Sequence, residues 1–245
     1  MQQTDLSHLI SESDRLNFDP QTYLLKNAQK TDIPLIFKNN ELEIQKDLPF
    51  LFVLCGPGGV GKDTVSKELF ADGIVQKIQT ATSRARREHE GELESSYLWM
   101  REKREEESDP EYAENLSSEY GLIEYNIFNG SVYGIPLLNV EKSLHKGNAM
   151  ILMTVDKLDV LREKLHGKAN IVALFIVPES FEQLFERVGQ RENPGQRLQI
   201  SLREIQQAPS VAHYYIFNPV IYDGQPGLPL VQESLKSLIS QVQTI

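Results

Sequence analysis

The amino-acid sequence predicts an α/β protein in which a mostly parallel β-sheet is covered by helices on both faces. Short apolar runs rich in β-forming residues alternate with segments of helical apolar spacing along most of the chain. The first clear run, residues 51–55, passes into a glycine-rich turn and then into a helical segment. A length of 245 residues with 40% hydrophobic residues suits one domain, or one domain with an appendage.

The glycine-rich turn, residues 56–62, reads Gly-Pro-Gly-Gly-Val-Gly-Lys and has the spacing of a phosphate loop. Glycines let successive backbone N–H groups turn towards phosphate oxygens, and the following helix points its positive end at the same anion. Lys62 supplies a mobile charge for the transferring phosphoryl group. Asp63 stands where a hydroxyl residue usually helps to hold Mg2+, and Thr64 follows it, so both are candidate metal ligands. A plain turn between a strand and a helix is the alternative.

The composition limits the partners of the protein. A formal net charge of -10 argues against general affinity for nucleic acid or anionic membranes, so a phosphate ligand must be attracted by local basic clusters. Cys55 is the only cysteine, which excludes an intramolecular disulfide and a cysteine zinc site. The chain has no run of transmembrane length and its polar start is unlike a secretory signal, so we expect a cytoplasmic protein.

Residues 1–48 differ from the rest of the chain because they are polar, with scattered apolar residues and prolines. We expect short helices near residues 7–16 and 20–28, and extended chain over 33–44. The segment is interpreted as an arm that is packed on the main domain or partly disordered. A docking or regulatory segment for a protein partner is the alternative. The main domain is expected to span residues 49–245.

A basic cluster follows the loop and its helix. Arg84, Arg86 and Arg87 lie within four residues of one another, next to hydroxyl side chains, in an otherwise acidic protein. Guanidinium groups form bidentate bonds to phosphate oxygens, so the cluster predicts a second anion site, although a solvated basic turn fits equally well.

The middle of the chain predicts a helix and a hairpin. A charged run over residues 101–114 predicts an exposed helix that ends before Pro110. Residues 122–134 predict two strands around a turn at residues 129–130. From this hairpin, Glu124 and Tyr133 either face a ligand or lie at the surface.

The remainder returns to alternating strands and helices. Helices are predicted over residues 140–146, 156–165, 180–190, 198–207 and 231–242, and strands over 149–155, 170–177 and 214–217. Ser180 is the predicted N-cap of its helix.

Taken in order, four motifs resemble those of the guanylate kinase family, which are P-loop nucleoside monophosphate kinases. The likeness runs from about Phe50 to the C-terminus. The motifs are the phosphate loop, the stretch of residues 80–90 with its arginines, Ile123-Glu124-Tyr125 with Tyr133-Gly134, and residues 187–191 followed by Arg203.

The resemblance implies a P-loop NTPase core with a mostly parallel sheet flanked by helices. It adds a small mixed β/α arm for the acceptor nucleotide over about residues 80–140, and a short lid over about residues 187–203. It implies ATP with Mg2+ and a GMP-like nucleotide as ligands. Glu124 would read guanine, because its carboxylate accepts from the ring N1–H and the exocyclic amine together, a donor pair that adenine lacks.

The resemblance also implies roles for individual residues. ATP would be bound by Gly56, Pro57, Gly58, Gly59, Val60, Gly61, Lys62, Asp63, Thr64 and Asn218. The acceptor nucleotide would be held by Thr80, Arg84, Arg87, Tyr97, Glu124 and Tyr133. Catalysis would be carried by Lys62, Arg187, Arg191 and Arg203.

The chain also departs from the family pattern. Asp63 replaces the hydroxyl residue, and reaching Tyr97 needs a one-residue insertion. The acidic residues of one family strand fall on Met153 and Val155, and Asp156 fits only with a slip of one residue. These departures concern rate and specificity more than fold.

Three functions remain open. The first is ATP-dependent phosphorylation of GMP or dGMP. The second is a catalytically weak binding or scaffold protein on a kinase-like domain, and the third is a kinase for a different monophosphate acceptor. The intact loop and lid arginines favour an enzyme, whereas the altered acidic strand and the N-terminal arm favour a scaffold.

Overall fold

The structure, a computed structural model, describes residues 10–86, 97–189 and 193–244. Within this part of the chain, seven strands form the main sheet. Across the sheet they are β1 (Gln29–Lys30), β2 (Ile36–Lys38), β11 (Tyr214–Asn218), β10 (Asn170–Pro178), β3 (Phe50–Cys55), β9 (Ala149–Leu152) and β4 (Gln76–Lys77). The strands from β11 to β4 are parallel, whereas β2 is antiparallel to β11 and β1 is antiparallel to β2. The predicted mostly parallel sheet is confirmed.

Helices pack on this sheet and on the second sheet described below. They are α1 (Glu12–Asn17), α2 (Pro20–Leu25), α3 (Lys62–Ala71), α4 (Asp109–Tyr120), α5 (Leu137–Lys146), α6 (Leu158–Lys164), α7 (Phe181–Val188), α8 (Pro194–Val211) and α9 (Gly227–Gln243). Every residue of β3 is buried, as expected for a central strand that is covered on both faces. Among the helices of the described residues, none combines the length and the apolar character that crossing a membrane requires.

Four further strands form a second sheet, separate from the main one. Its strands are β6 (Tyr97–Trp99), β5 (Thr80–Thr82), β8 (Ser131–Pro136) and β7 (Leu122–Phe128), in that spatial order. The predicted hairpin turn joins β7 to β8, and both Asn129 and Gly130 have positive φ there. A small core of its own, which includes Tyr112 and Leu116 of α4, packs under this sheet. A short ribbon of β12 (Ile221–Tyr222) and β13 (Gln225–Pro226) lies near the end of the chain.

Helix α4, which packs under the second sheet, begins later in the chain than predicted. We expected it to end before Pro110, but α4 begins at Asp109, with the proline in its first turn. Proline is tolerated at that position because its missing N–H would have no helical partner there. Ser108 and Glu111 close the helix start with a capping box. The prediction was wrong because it treated the proline as a stop rather than a start.

The N-terminal segment contributes to the main sheet. Ile36 of β2 is fully buried and pairs with Ile216 of β11. Helix α2, with its buried Leu24, packs against β10 and α8. The side chain of Asn170 donates a 2.9 Å hydrogen bond to the carbonyl oxygen of Gln45. The division of the chain at residue 48 remains a prediction.

Several predicted helices have different bounds in the structure, and two of these differences bear on the site. Helix α8 starts at Pro194 and is longer at both ends than predicted. The predicted helix after β9 starts as a short 3-10 helix, Val155–Lys157, before α6. The N-cap prediction for α7 is confirmed, since the Ser180 hydroxyl accepts from the Gln183 N–H at 3.2 Å. These bounds decide which side chains of α8 and of the 3-10 helix face the loop.

Candidate active site

The phosphate loop joins β3 to α3, and its glycines give it its shape. Gly59 and Gly61 have φ values of 86° and 98°, which favour glycine. A Cβ on Gly56 would lie 2.9 Å from the carbonyl oxygen of Ile176 on β10, so no side chain fits there. The loop therefore lies directly against the carboxyl ends of two parallel strands, where α/β proteins bind ligands.

Lys62 is the first residue of α3, and its ammonium group is folded over the loop. Its Nζ donates to the carbonyl oxygens of Gly56 and of Pro57, the second at 3.3 Å. Ser66, one turn later, donates its hydroxyl to the Lys62 carbonyl at 2.9 Å. Both acceptors of the ammonium are neutral, so phosphate oxygens can replace them with stronger, charge-assisted hydrogen bonds.

Two side chains from neighbouring elements hold the loop from outside. Asn218, at the end of β11, donates its Nδ2 to the carbonyl oxygen of Val60 at 2.8 Å. Arg187, at the end of α7, directs Nη1 at the carbonyl oxygens of Gly59 and Val60, at 3.4 Å each. The structure therefore brings Arg187 and Asn218 to the loop, although they are far from it in sequence.

Asp63 and Thr64, the candidate Mg2+ ligands, are exposed in the first turn of α3. The backbone of this turn is fixed by Gln232 of α9, whose Nε2 donates to the Thr64 carbonyl at 3.1 Å. In the described residues, no group of three His, Cys, Asp or Glu side chains gathers to hold a metal. One carboxylate and one hydroxyl fit Mg2+ that arrives on a nucleotide, because this ion keeps waters and phosphate oxygens as ligands.

The second sheet gathers several residues expected to bind the acceptor. Thr80 of β5 pairs with Tyr97 of β6, and the rings of Tyr97 and Tyr133 meet edge to face at 6.5 Å. The guanidinium carbon of Arg84 lies 5.3 Å from the ring centre of Tyr97 and 5.1 Å from that of Trp99. These rings orient a guanidinium group, which is suited to bidentate phosphate binding.

Glu124 of β7 is a largely buried carboxylate on this sheet. Its Oε2 is buried and has no hydrogen-bond partner. Burial raises the pKa of Glu124 to about 7, although nearby Lys157 lowers it. An unpaired buried acceptor is costly, and a ligand with N–H donors would satisfy it.

Close packing between β7 and β8 explains why residue 134 is a glycine. A Cβ on Gly134 would lie 2.9 Å from the carbonyl oxygen of Glu124 and 2.5 Å from a side-chain carbon of Leu122. Glycine therefore allows β8 to pack closely against the part of β7 that carries Glu124.

Glu204 of α8 is a second buried carboxylate, and it was not among the residues predicted from the sequence. Its side chain is 4% exposed, and burial raises its pKa to about 7. Lys62 lowers this pKa and Asp156 raises it. Asp156 also raises the pKa of Glu124, so the 3-10 helix lies within electrostatic reach of both carboxylates.

The altered acidic positions are explained by burial. Met153 and Val155, where the resemblance leads one to expect acidic residues, are 9% and 3% exposed and belong to the main core. Asp156 is exposed and supplies a carboxylate in the 3-10 helix that follows β9. The slip of one residue therefore places an acidic side chain outside the core.

Arg203 lies on α8, the helix that carries the end of the predicted lid. It is exposed on the side of α8 opposite to Ser201, whose Oγ lies 3.8 Å from the position of a Cβ on Gly58. Arg197 shares the helix face of Ser201 because it lies one turn earlier. Its guanidinium carbon lies 4.6 Å from the ring centre of Phe128, at the tip of the hairpin. Arg197, rather than Arg203, therefore shares the face of α8 that lies against the phosphate loop.

The start of α8 also contacts the second sheet. Asn193 donates its Nδ2 to Oδ1 of Asn129 in the hairpin turn at 2.9 Å. Together with the contact of Arg197 on Phe128, this bond joins the predicted lid to the predicted acceptor arm. The remaining expected site residues, Arg87 and Arg191, lie outside the described residues.

Comparison with known proteins places this arrangement among nucleotide kinases. Residues 50–241 match the model of the guanylate kinase family. The guanylate kinase of Desulfitobacterium hafniense (strain Y51) is 28% identical over 194 residues, which are 77% of this chain and 88% of that protein. The guanylate kinase of Mycoplasma capricolum is 29% identical over 143 residues, which are 58% of this chain and 45% of that protein.

A solved structure agrees with the sequence comparisons. The crystal structure of guanylate kinase from Anaplasma phagocytophilum superposes with a TM-score of 0.54 at 25% identity, covering 81% of this chain and 86% of that one. The sheet, the phosphate loop and the second small sheet define a P-loop kinase of the nucleoside monophosphate kinase class. Because the family model matches residues 50–241, which are most of the chain, the chain belongs to the guanylate kinase family.

Proposed function

We propose that the protein transfers the γ-phosphoryl group of ATP to GMP or dGMP, forming ADP and the corresponding diphosphate. The observation that carries the proposal is the buried, unpartnered Oε2 of Glu124, on the same sheet as Arg84 and its aromatic neighbours. The ring N1–H and the exocyclic amine of guanine would donate to this carboxylate. Arg84, Thr80, Tyr97 and Tyr133 would hold the phosphate of the same nucleotide.

The donor nucleotide would occupy the phosphate loop. Lys62 would leave the carbonyl oxygens of Gly56 and Pro57 for the phosphates of ATP, while the loop N–H groups surround them. Arg187 already points at the loop and would neutralise charge on the transferred group. Phosphoryl transfer needs positioning and charge neutralisation rather than a covalent nucleophile. Residues of these types can therefore support the reaction.

Other residues keep or change the roles suggested by the resemblance. Asp63 and Thr64 would hold Mg2+, which when bound neutralises part of the phosphate charge. Arg197 takes the lid role that we first assigned to Arg203, because it faces the hairpin tip. Arg87 and Arg191 keep their expected roles on the strength of the family resemblance alone.

A coupled assay for ADP formation tests this proposal with a panel of nucleoside monophosphates. The full chain, with ATP and Mg2+, should turn over GMP and dGMP far faster than AMP, CMP or UMP, because only guanine offers two adjacent donors to Glu124. Turnover of another monophosphate alone would support a kinase with a different acceptor.

A binding protein without turnover is the second alternative. Calorimetry would identify it by GMP binding without ATP binding in folded protein. The position of Asp156 weighs against this alternative, because the chain retains an exposed carboxylate near both Glu124 and Glu204. Asp156 would therefore take the role of the acidic residues that are absent at Met153 and Val155.

A further inference from the structure

Glu204 is a buried carboxylate to which the proposed reaction assigns no role. Its side chain is 4% exposed, and its Oε1 has no hydrogen-bond partner. The backbone N–H of Val155 donates to the carboxylate. Removing a charged oxygen from water without full pairing is costly, so burial favours the protonated carboxyl unless a positive charge lies nearby.

Lys62 is the positive charge that acts on this carboxylate, because it lowers the pKa of Glu204. Ser201 lies one turn before Glu204 on the same face of α8, and this face packs against the phosphate loop at Gly58. Val155, whose N–H donates to Glu204, follows Met153, whose own N–H donates to the Leu54 carbonyl of β3 at 3.2 Å. On the other side of Cys55, the Nζ of Lys62 donates to the Gly56 carbonyl. Lys62 and Glu204 therefore both lie near the point where β3 passes into the loop, within electrostatic reach of each other.

The remaining charged groups around this part of α8 can be named. On the elements packed against it they are Asp156 and Lys157 of the 3-10 helix and Glu182, Glu186 and Arg187 of α7. The first two of the α7 residues are exposed, and Arg187 is directed at the loop carbonyls. Helix α2, which the structure describes throughout, has no charged side chain. The Cys55 thiol is neutral because burial raises its pKa to about 12.

We propose that Glu204 is a positioning residue for the phosphate loop: it balances the charge of Lys62 while the loop is empty, and it takes up a proton when ATP binds. Once the triphosphate becomes the partner of the lysine, an ionised Glu204 would be repelled by the same anion. A proton from solvent on the carboxylate removes this repulsion. The inference rests on the proposed function only in requiring that the loop binds ATP.

Calorimetry of ATP binding measures this proton directly. The full chain is titrated with ATP and excess Mg2+, without acceptor, at pH 7 in buffers of different ionisation enthalpy. Because the pKa of Glu204 is about 7, the group starts half protonated, and we expect uptake of about half a proton per ATP. In the isosteric variant Glu204→Gln this uptake should be lost while ATP still binds.

The pH dependence of ATP affinity provides a second measurement. In the unsubstituted chain the affinity should fall by up to about tenfold between pH 6 and pH 8, because Glu204 must be protonated in the complex. Glu204→Gln should make the profile flat over this range. Asp156→Asn removes the neighbour that raises the pKa of Glu204, so the fall in affinity should begin at lower pH. Asp156 is exposed, so this variant tests the proposal even if Glu204→Gln fails to fold.

The outcomes are distinguishable. Loss of proton uptake in Glu204→Gln, with ATP binding retained, supports the positioning role. Unchanged uptake in that variant, or no uptake by an unsubstituted chain that binds ATP, overturns it and leaves the proposed kinase function intact. Failure of the unsubstituted chain to bind ATP at all would overturn both. A purely structural role would lower the unfolding temperature without changing the number of protons per ATP.

Discussion

The side-chain amide of Asn218 donates a 2.8 Å hydrogen bond to the carbonyl oxygen of Val60, and so ties the end of β11 to the phosphate loop. The amide is almost completely buried, which makes it a support for the loop rather than a surface contact. Loop shape is therefore determined partly by a residue more than 150 positions away in the chain.

Replacing this amide should weaken both stability and ATP binding. In Asn218→Ala the Val60 carbonyl loses its buried donor, and we expect a loss of about 1–3 kcal/mol in the free energy of unfolding. The KM for ATP should rise by about tenfold because a looser loop binds phosphate less well. Urea denaturation and steady-state kinetics measure the two effects. Asn115→Ala, at an exposed amide on α4, is the control and should change neither quantity appreciably.

Arg187 should affect the chemical step more than substrate binding. Arg187→Lys keeps the charge but loses the planar fork of donors, so we expect kcat to fall by roughly 100-fold with little change in KM for GMP. Arg203→Lys is a matched control on the exposed side of α8, and its kcat should stay within about twofold of the unsubstituted value. Equal losses in both variants would contradict the assignment of the lid face.

Glu124 should determine the choice of acceptor base. Glu124→Gln exchanges one acceptor oxygen for an N–H2 donor that opposes the guanine amine, so the KM for GMP should rise by roughly 100-fold. The KM for ATP should change much less. Initial rates with each substrate varied in turn separate the two constants, and Glu119→Gln at an exposed carboxylate of α4 provides the control. A similar rise in both constants would argue against base recognition by this residue.

Protonation of the two buried carboxylates should make stability depend on pH. Burial raises the pKa of Glu124 and of Glu204 to about 7, from 4.5, so the folded protein binds more protons than the unfolded chain between these values. The free energy of unfolding contributed by these groups is fully present below pH 4.5 and is lost as pH rises through 7. Each contributes at most roughly 3 kcal/mol to this decline.

Urea denaturation from pH 5 to pH 8 checks this prediction. Glu124→Gln and Glu204→Gln should each reduce the decline, and Glu119→Gln should not. Burial lowers the pKa of His213 to about 4, which weakens the fold in acid, but this contribution is common to all variants and cancels in the comparison. A decline that is unchanged in both glutamine variants would show that other groups cause it.

How far the sequence predicts the site depends on whether the signal is local. The phosphate loop was recognisable because its glycines, its lysine and the flanking strand and helix lie within one short stretch. The hairpin of β7 and β8 was predicted for the same reason, from turn residues between two β-forming runs. In both cases neighbouring residues determine the backbone conformation.

The residues of α8 could not be assigned in this way. Choosing between Arg197 and Arg203 requires the start of the helix and the face that it buries, and the predicted start was four residues too late. Writing the apolar positions on a helical wheel from Pro194 would have placed Arg197 beside Leu198 and Ser201. Glu204 was missed because glutamate is usually exposed, and its burial follows from packing of α8 on the 3-10 helix. Tertiary contacts, rather than local spacing, decide these roles.

The burial of Cys55 makes it practical to measure movement of the predicted lid by fluorescence labelling. The only thiol in the sequence is enclosed in β3, with 2% of its surface accessible and with its reactive thiolate form suppressed. A maleimide dye should therefore not label the unsubstituted chain. A cysteine engineered at an outward position such as Arg203 would become the single labelling point, and fluorescence from it could report opening and closing in real time.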